Sequence, residues 1–126
     1  MKKLNLKIFL FLIVLLVNIN VLASNNIYSM DIDVYIDEDA NASITEKWHV
    51  KGSDGTEWYK LMADLGNSNL SNYEVLMDGV PLTYKNWNIN ESLAEKKGYY
   101  GINYGSQGME LCFGKYDYSE HTFTLK

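Results

Sequence analysis

The sequence predicts an all-β protein, an antiparallel β-sandwich of immunoglobulin-like or jelly-roll-like type. Three observations carry this. Residues 30–36 and 42–50 alternate apolar and polar side chains with period two. Turn-forming Gly, Asn and Asp clusters recur at roughly eight-to-twelve-residue spacing along the chain. Ten tyrosines supply the aromatic content that a pleated, half-buried surface accommodates well.

The elements follow in order. Residues 1–23 read as a secretory signal peptide, with Lys2, Lys3 and Lys7 ahead of the unbroken apolar run Ile8 to Val17. Val21-Leu22-Ala23 then places small residues where signal peptidase prefers them, so cleavage is expected before Ser24. The run is short for a helix that must cross about 30 Å of hydrocarbon, and Asn18 and Asn20 interrupt it. No Cys follows it to carry a lipid. Residues 24–126 are thus expected to form one extracytoplasmic domain.

Residues 30–36 put Met30, Ile32, Val34 and Ile36 on one face and Asp31, Asp33 and Tyr35 on the other, the pattern of a half-buried strand. Residues 42–50 repeat it with Ala42, Ile44, Trp48 and Val50, but Glu46 sits in the apolar register. "GSDGT" at 52–56 is a turn, "EWYKLM" a short strand, "GNSNLSN" a polar loop and "YEVLM" a strand ending at Asp78-Gly79. Pro81 marks 80–84 as an edge or a strand start, because proline cannot donate to a sheet ladder. Residues 88–98 hold the one helical turn, with Ser92 and Glu95 at capping-box spacing. "YYGINY" and "MELCF" predict a hairpin joined by the four residues "GSQG". Finally "HTFTLK", 121–126, alternates cleanly and stops at Lys126 without a turn. It is expected to be an open terminal strand lacking its neighbours, so the domain is read as incomplete at its C-terminal end and as the front part of a longer protein.

Charge excludes some partners. Without Lys2, Lys3 and Lys7, eight of eleven lysines remain against sixteen Asp and Glu, a balance of −8, and there is no Arg. Nucleic-acid binding needs a basic footprint to neutralise phosphates, and an anionic membrane surface would repel this chain. No cofactor is implied. Cys112 is the only cysteine, so no intramolecular disulfide forms and the apolar core alone must stabilise the fold.

Several residues invite chemistry. "DEDANASITEKW", 37–48, opens like a calcium loop with Asp37, Asp39 and Asn41 at positions 1, 3 and 5. Ala42 and Trp48 then fall where an EF-hand needs Gly and a bidentate Glu, so a hairpin corner is favoured. Glu46 is either an acid in a cleft or a structural carboxylate, bonded to a nearby hydroxyl, backbone amide or lysine or placed at a strand end open to water; the second is favoured, because structural networks also hold such groups. Cys112 with His121 or His49 would suit a cysteine hydrolase, but an apolar strand is where a thiol packs as a small hydrophobe. Trp48, Trp58 and Trp87 could stack on sugars, or fill a sandwich core, which is favoured. The sequons at Asn41, Asn69 and Asn90 mark exposed loops. The Lys- and Asn-rich, Arg-free composition reads as bacterial, so they are expected to be unused.

Three blocks resemble a known family together: "YSMDIDVYIDEDANASITEKWHV", "GTEWYKLMADLGNSNLSNYEVLMDG" and "GMELCFGKYDYSEHTFTL". They resemble the N-terminal domain of the bacterial predicted membrane proteins that carry domain of unknown function 2207. The resemblance covers residues 28–126. It implies a signal peptide, an extracytoplasmic β-rich domain and then transmembrane helices, reached here only through a C-terminal region that this chain lacks. It transfers no catalytic role. Glu46, Trp48, Glu57, Trp58, Glu110, Cys112 and His121 fall on its recognisable motifs and are the candidate binding positions. The expected function is a non-enzymatic interaction or sensing domain with a protein partner. The alternatives are a module for cell-wall polysaccharide, using Trp58 and Trp87, and, more weakly, a hydrolase using Glu46, Glu110 or Cys112.

Overall fold

A computed structural model describes residues 24–126; the signal peptide assigned to residues 1–23 lies outside the described residues. The chain forms two sheets packed face to face as a β-sandwich. Strand β1 (Asn26–Ile36) turns into β2 (Ala42–Lys51), and β3 (Glu57–Met62) crosses to the second sheet. Strands β4 (Val75–Met77) and β5 (Val80–Pro81) return to the first, β6 (Thr83–Tyr84) to the second. Helix α1 (Leu93–Lys96), the hairpin β7 (Tyr99–Gly105) and β8 (Gly108–Gly114), and β9 (Glu120–Leu125) complete the fold. The strand orders are β1-β2-β9-β4-β5 and β3-β8-β7-β6. All neighbours are antiparallel except β6 and β7.

The core lies between β2, β9 and β4 on one side and β8 and β7 on the other. Trp48, Val50, Val75, Leu111, Phe113, Phe123 and Leu125 are buried there. The Phe113 ring bridges the layers, 5.8 Å from Trp48 edge-on and 4.8 Å from Phe123, separations at which aromatic pairs add to simple burial. The helical turn begins as its spacing predicts. The Ser92 hydroxyl accepts from the Glu95 amide, and the Glu95 carboxylate accepts from the Ser92 amide. Pro81 sits at the sheet edge, in β5.

Four expectations change. First, β1 is not half-buried: every one of its residues is exposed. Its apolar face shares the inner side of the sheet, since Met30 lies opposite Trp48, Ile32 opposite Glu46 and Val34 opposite Ile44. The second sheet, however, begins with β3 above β2, where Lys60 reaches Glu46, and leaves β1 uncovered. Second, β9 is not an open strand but a central one, bonded to β2 on one side and β4 on the other, so residues 121–126 do not lack neighbours. Third, residues 80–84 are not one strand. The chain changes sheets at Leu82, so β5 pairs with β4 and β6 with β7. Fourth, the β7–β8 connection is two residues rather than four, because Gly105 and Gly108 pair with each other.

Candidate functional site

The acidic stretch after β1 is a corner. Asp37 Oδ1 accepts from the amides of Asp39, at 3.0 Å, and Asn41, at 2.8 Å, while Oδ2 accepts from the Asn41 side chain. Both carboxylate oxygens are thus used to turn the chain, an Asx-type closure. The same bonds hold the Asp37 carboxyl below its usual range, the Asn41 amide contributing most. Among the described residues no three His, Cys, Asp or Glu side chains gather as a metal site.

Four polar centres surround the core. Glu46 is buried, as its register predicts, and is held by Lys60 Nζ and, at 3.0 Å, by Trp48 Nε1. A cleft of about 120 Å³ opens beside this pair, lined by Ile44, Glu46, Lys60, Met62, Tyr73 and Leu111 among others. The second centre lies on the outer side of the β3-β8-β7-β6 sheet. Lys96 is fully buried there, its ammonium 2.6 Å from Glu57 Oε2, 2.9 Å from Thr56 Oγ1 and 2.8 Å from the Ile89 carbonyl. Trp87 Nε1 donates to the same Glu57 oxygen at 2.9 Å. This layer approaches so closely because the strands beneath it carry glycines. A Cβ at Gly114 would overlap the Lys96 carbonyl, and one at Gly101 the Lys85 carbonyl.

Lys115 forms the third centre. Its Nζ donates to Asn25 Oδ1 at 2.8 Å and to the Asp54 carbonyl, and lies 4.5 Å from the centre of the Trp58 ring. Burial pushes this ammonium below the usual lysine range. The contact ties the residue preceding β1 to the turn before β3.

At the fourth centre, His121 Nδ1 lies 2.7 Å from Asp78 Oδ2. Its Nε2 lies 2.9 Å from Asp117 Oδ1 and 3.1 Å from Ser119 Oγ. The residue types are those of a serine hydrolase triad, but the geometry differs. Asp117 occupies the nitrogen that would have to take the serine proton, and Ser119 itself lies 2.5 Å from Asp117 as a donor. Burial lowers the His121 pKa, but bonds and charges from Asp78 and Asp117 outweigh it and leave it raised. The Ser119 hydroxyl and amide, followed by His121, hold the Asp117 carboxyl at about 2. Burial acts against Asp78, yet the Thr122 amide and His121 keep its carboxyl below the usual range. The arrangement holds the His121 ring between two carboxylates and joins the Asp78 turn to β9.

The predicted positions therefore do not converge. Glu46 and Trp48 lie on the inner side of β2, and Trp58 faces the same interior. Glu57, Glu110 and Cys112 lie on the opposite side of the second sheet, where Asn103 donates to Glu110 at 2.7 Å. Burial pushes the Cys112 thiol up to about 12, so it is not a thiolate nucleophile at neutral pH. Sequence reasoning missed Lys96, Lys115, Asp78 and Asp117. The one legible signal was "DYSEH", whose alternation places Asp117, Ser119 and His121 within reach of one another. Comparisons with protein-family models, curated proteins and solved structures find no match to this chain.

The remaining candidate is a surface. Met30, Ile32, Val34 and Ile36, at 40, 54, 57 and 65% exposure, form an apolar row along β1. Ile44 beside Val34 continues the row into the Glu46–Lys60 cleft.

Proposed function

We propose that this chain is a non-enzymatic interaction module, the extracytoplasmic domain of a bacterial membrane protein, and that it binds a protein partner through the inner face of β1. The observation that carries the reading is the uncovered row Met30, Ile32, Val34 and Ile36. Scattered apolar side chains on a surface need no explanation, but a contiguous patch on the order of 400 Å² is of the size that marks contact sites. The row is part of a sandwich interior in its alternation and its register with Trp48, yet no layer of the described residues lies over it. The leader-like residues 1–23, the acidic balance and the resemblance to the domain 2207 family support the extracytoplasmic placement.

The test places a photo-reactive amino acid at Val34 and, as control, at Tyr104, which is 79% exposed on the β7–β8 hairpin. Protein adducts in cells are expected from Val34 and not from Tyr104. Equal yields from the two sites, or none from Val34, refute the binding role. A fusion of residues 1–126 to a phosphatase active only outside the cytoplasm tests the location. An inactive, cytoplasmic reporter refutes it.

A further inference from the structure

We infer that the free edge of β1 takes up an extended segment of a partner protein in which apolar residues alternate with Lys or Arg. This rests on the reading of β1 as the binding surface and adds the mode and chemistry of the contact.

The edge is unusual in three respects. It is long, 11 residues from Asn26 to Ile36, and lies at the outside of its sheet. Its outward row of backbone groups is therefore a template for another strand. Of the devices that blunt such edges, β1 has an irregularity between Ile27 and Ser29 near its start, but over the regular stretch that follows it contains neither Lys nor Pro. What it carries instead is Asp31 and Asp33, both exposed, on the face opposite the apolar row. Neither joins an ion pair within 4 Å among the described residues, although Asp31 has Lys47 opposite it on β2.

Those two aspartates select the occupant. A strand added beside β1 sets its side chains directly opposite those of β1, alternately on the two faces. Apolar residues of the incoming strand would line up with Met30, Ile32 and Val34, and the residues between them would meet Asp31 and Asp33. Lysine or arginine there forms opposite-charge pairs, whereas Asp or Glu sets like charges together. A second copy of this chain fails the same requirement. β1 holds no Lys or Arg to set opposite these aspartates in any register, and antiparallel self-pairing centred on Asp31, Ile32 or Asp33 sets aspartate against aspartate. The acidic corner Asp37, Glu38 and Asp39 extends the negative field past the end of the strand, which favours approach of a basic segment.

The experiment titrates the protein with a capped peptide of alternating Val and Lys, and with its Val–Glu counterpart. Binding is read by fluorescence anisotropy, and location by amide hydrogen exchange. The Val–Lys peptide should bind at least about tenfold tighter and protect the β1 amides directed away from β2. The variant Asp31→Asn/Asp33→Asn, changed only at exposed positions, should lose most of that preference. Equal affinity for the two peptides, or protection at the edges formed by β3 or β5, overturns the inference. So does dimerisation through β1 without peptide. If both peptides protect β1 equally, the basic chemistry falls while β1 stands as a binding surface. If neither protects it, strand addition falls, and the Val34 adducts decide the binding role separately.

Discussion

Replacing Glu57 by Gln keeps the side-chain shape and removes the only carboxylate among the described residues that touches Lys96. The ammonium of Lys96 is 0% exposed and, among the described residues, is held by Glu57, Thr56 and the Ile89 carbonyl, with the Trp87 ring 5.5 Å away. Glutamine can still accept a hydrogen bond, but the buried cation loses its counter-charge. Breaking a buried pair in this way typically costs about 3–5 kcal/mol. Glu57 is 19% exposed and the two neutral acceptors remain, so the lower end, about 3 kcal/mol, is expected. Lys96→Met removes the charge instead. It leaves Glu57 with Trp87 and partial access to water, and strands the Ile89 carbonyl, for about 1–2 kcal/mol. In the Lys96→Met background, Glu57→Gln should cost less than about 1 kcal/mol, giving a coupling energy of about 2 kcal/mol or more. Urea unfolding followed by tryptophan fluorescence measures all four corners of the cycle, with Trp87 directly on the pair. A domain stable by about 5–15 kcal/mol remains folded throughout. A coupling below about 0.5 kcal/mol would show that Thr56 and Ile89 hold Lys96 and that the Glu57 charge is irrelevant.

Two further outcomes follow from the other centres. The His121 pKa is raised above 6.5, so the stability it lends is fully present below about pH 6.5 and is lost as pH rises through the folded value. The lowered pKa values of Asp117, at about 2, and Asp78 act oppositely. Their contribution is present above about pH 4 and is lost as pH falls through the folded values. The cluster therefore stabilises most between about pH 4 and 6.5. His121→Asn should abolish the decline seen in thermal unfolding above that window, and an unchanged slope would rule the cluster out as its source. Gly114→Ala places a methyl group against the Lys96 carbonyl. A loss of about 1–3 kcal/mol is expected, with red-shifted Trp87 emission as the 85–98 layer lifts; wild-type stability and emission would show that the layer yields freely.

Much of the local structure was legible because it depends on neighbours in the chain. Alternation identified β2 and placed Glu46 inward; of the partner types left open for it, the structure supplies a lysine, Lys60, and adds the Trp48 indole. Ser92 and Glu95 signalled the helical turn, and Asp37 with Asn41 the corner. The polar centres were not legible. Lys96 in "EKKG" and Lys115 in "FGKYD" read like solvated lysines, and nothing local distinguishes them. Their burial depends on glycines and carboxylates elsewhere in the chain. His121 and Asp78 are 43 residues apart and meet because β4 pairs with β9.

The sequence by itself determined the β class, the strand faces and the corner, because side-chain period and turn chemistry are local properties. It also placed Met30, Ile32, Val34 and Ile36 on one face of β1. Only the tertiary structure decided that no layer of the described residues covers this face and that β9, not β1, runs through the middle of its sheet. Alternation shows that a strand has two unlike sides. Which of them is buried depends on where the opposing layer ends, and here it ends at β3.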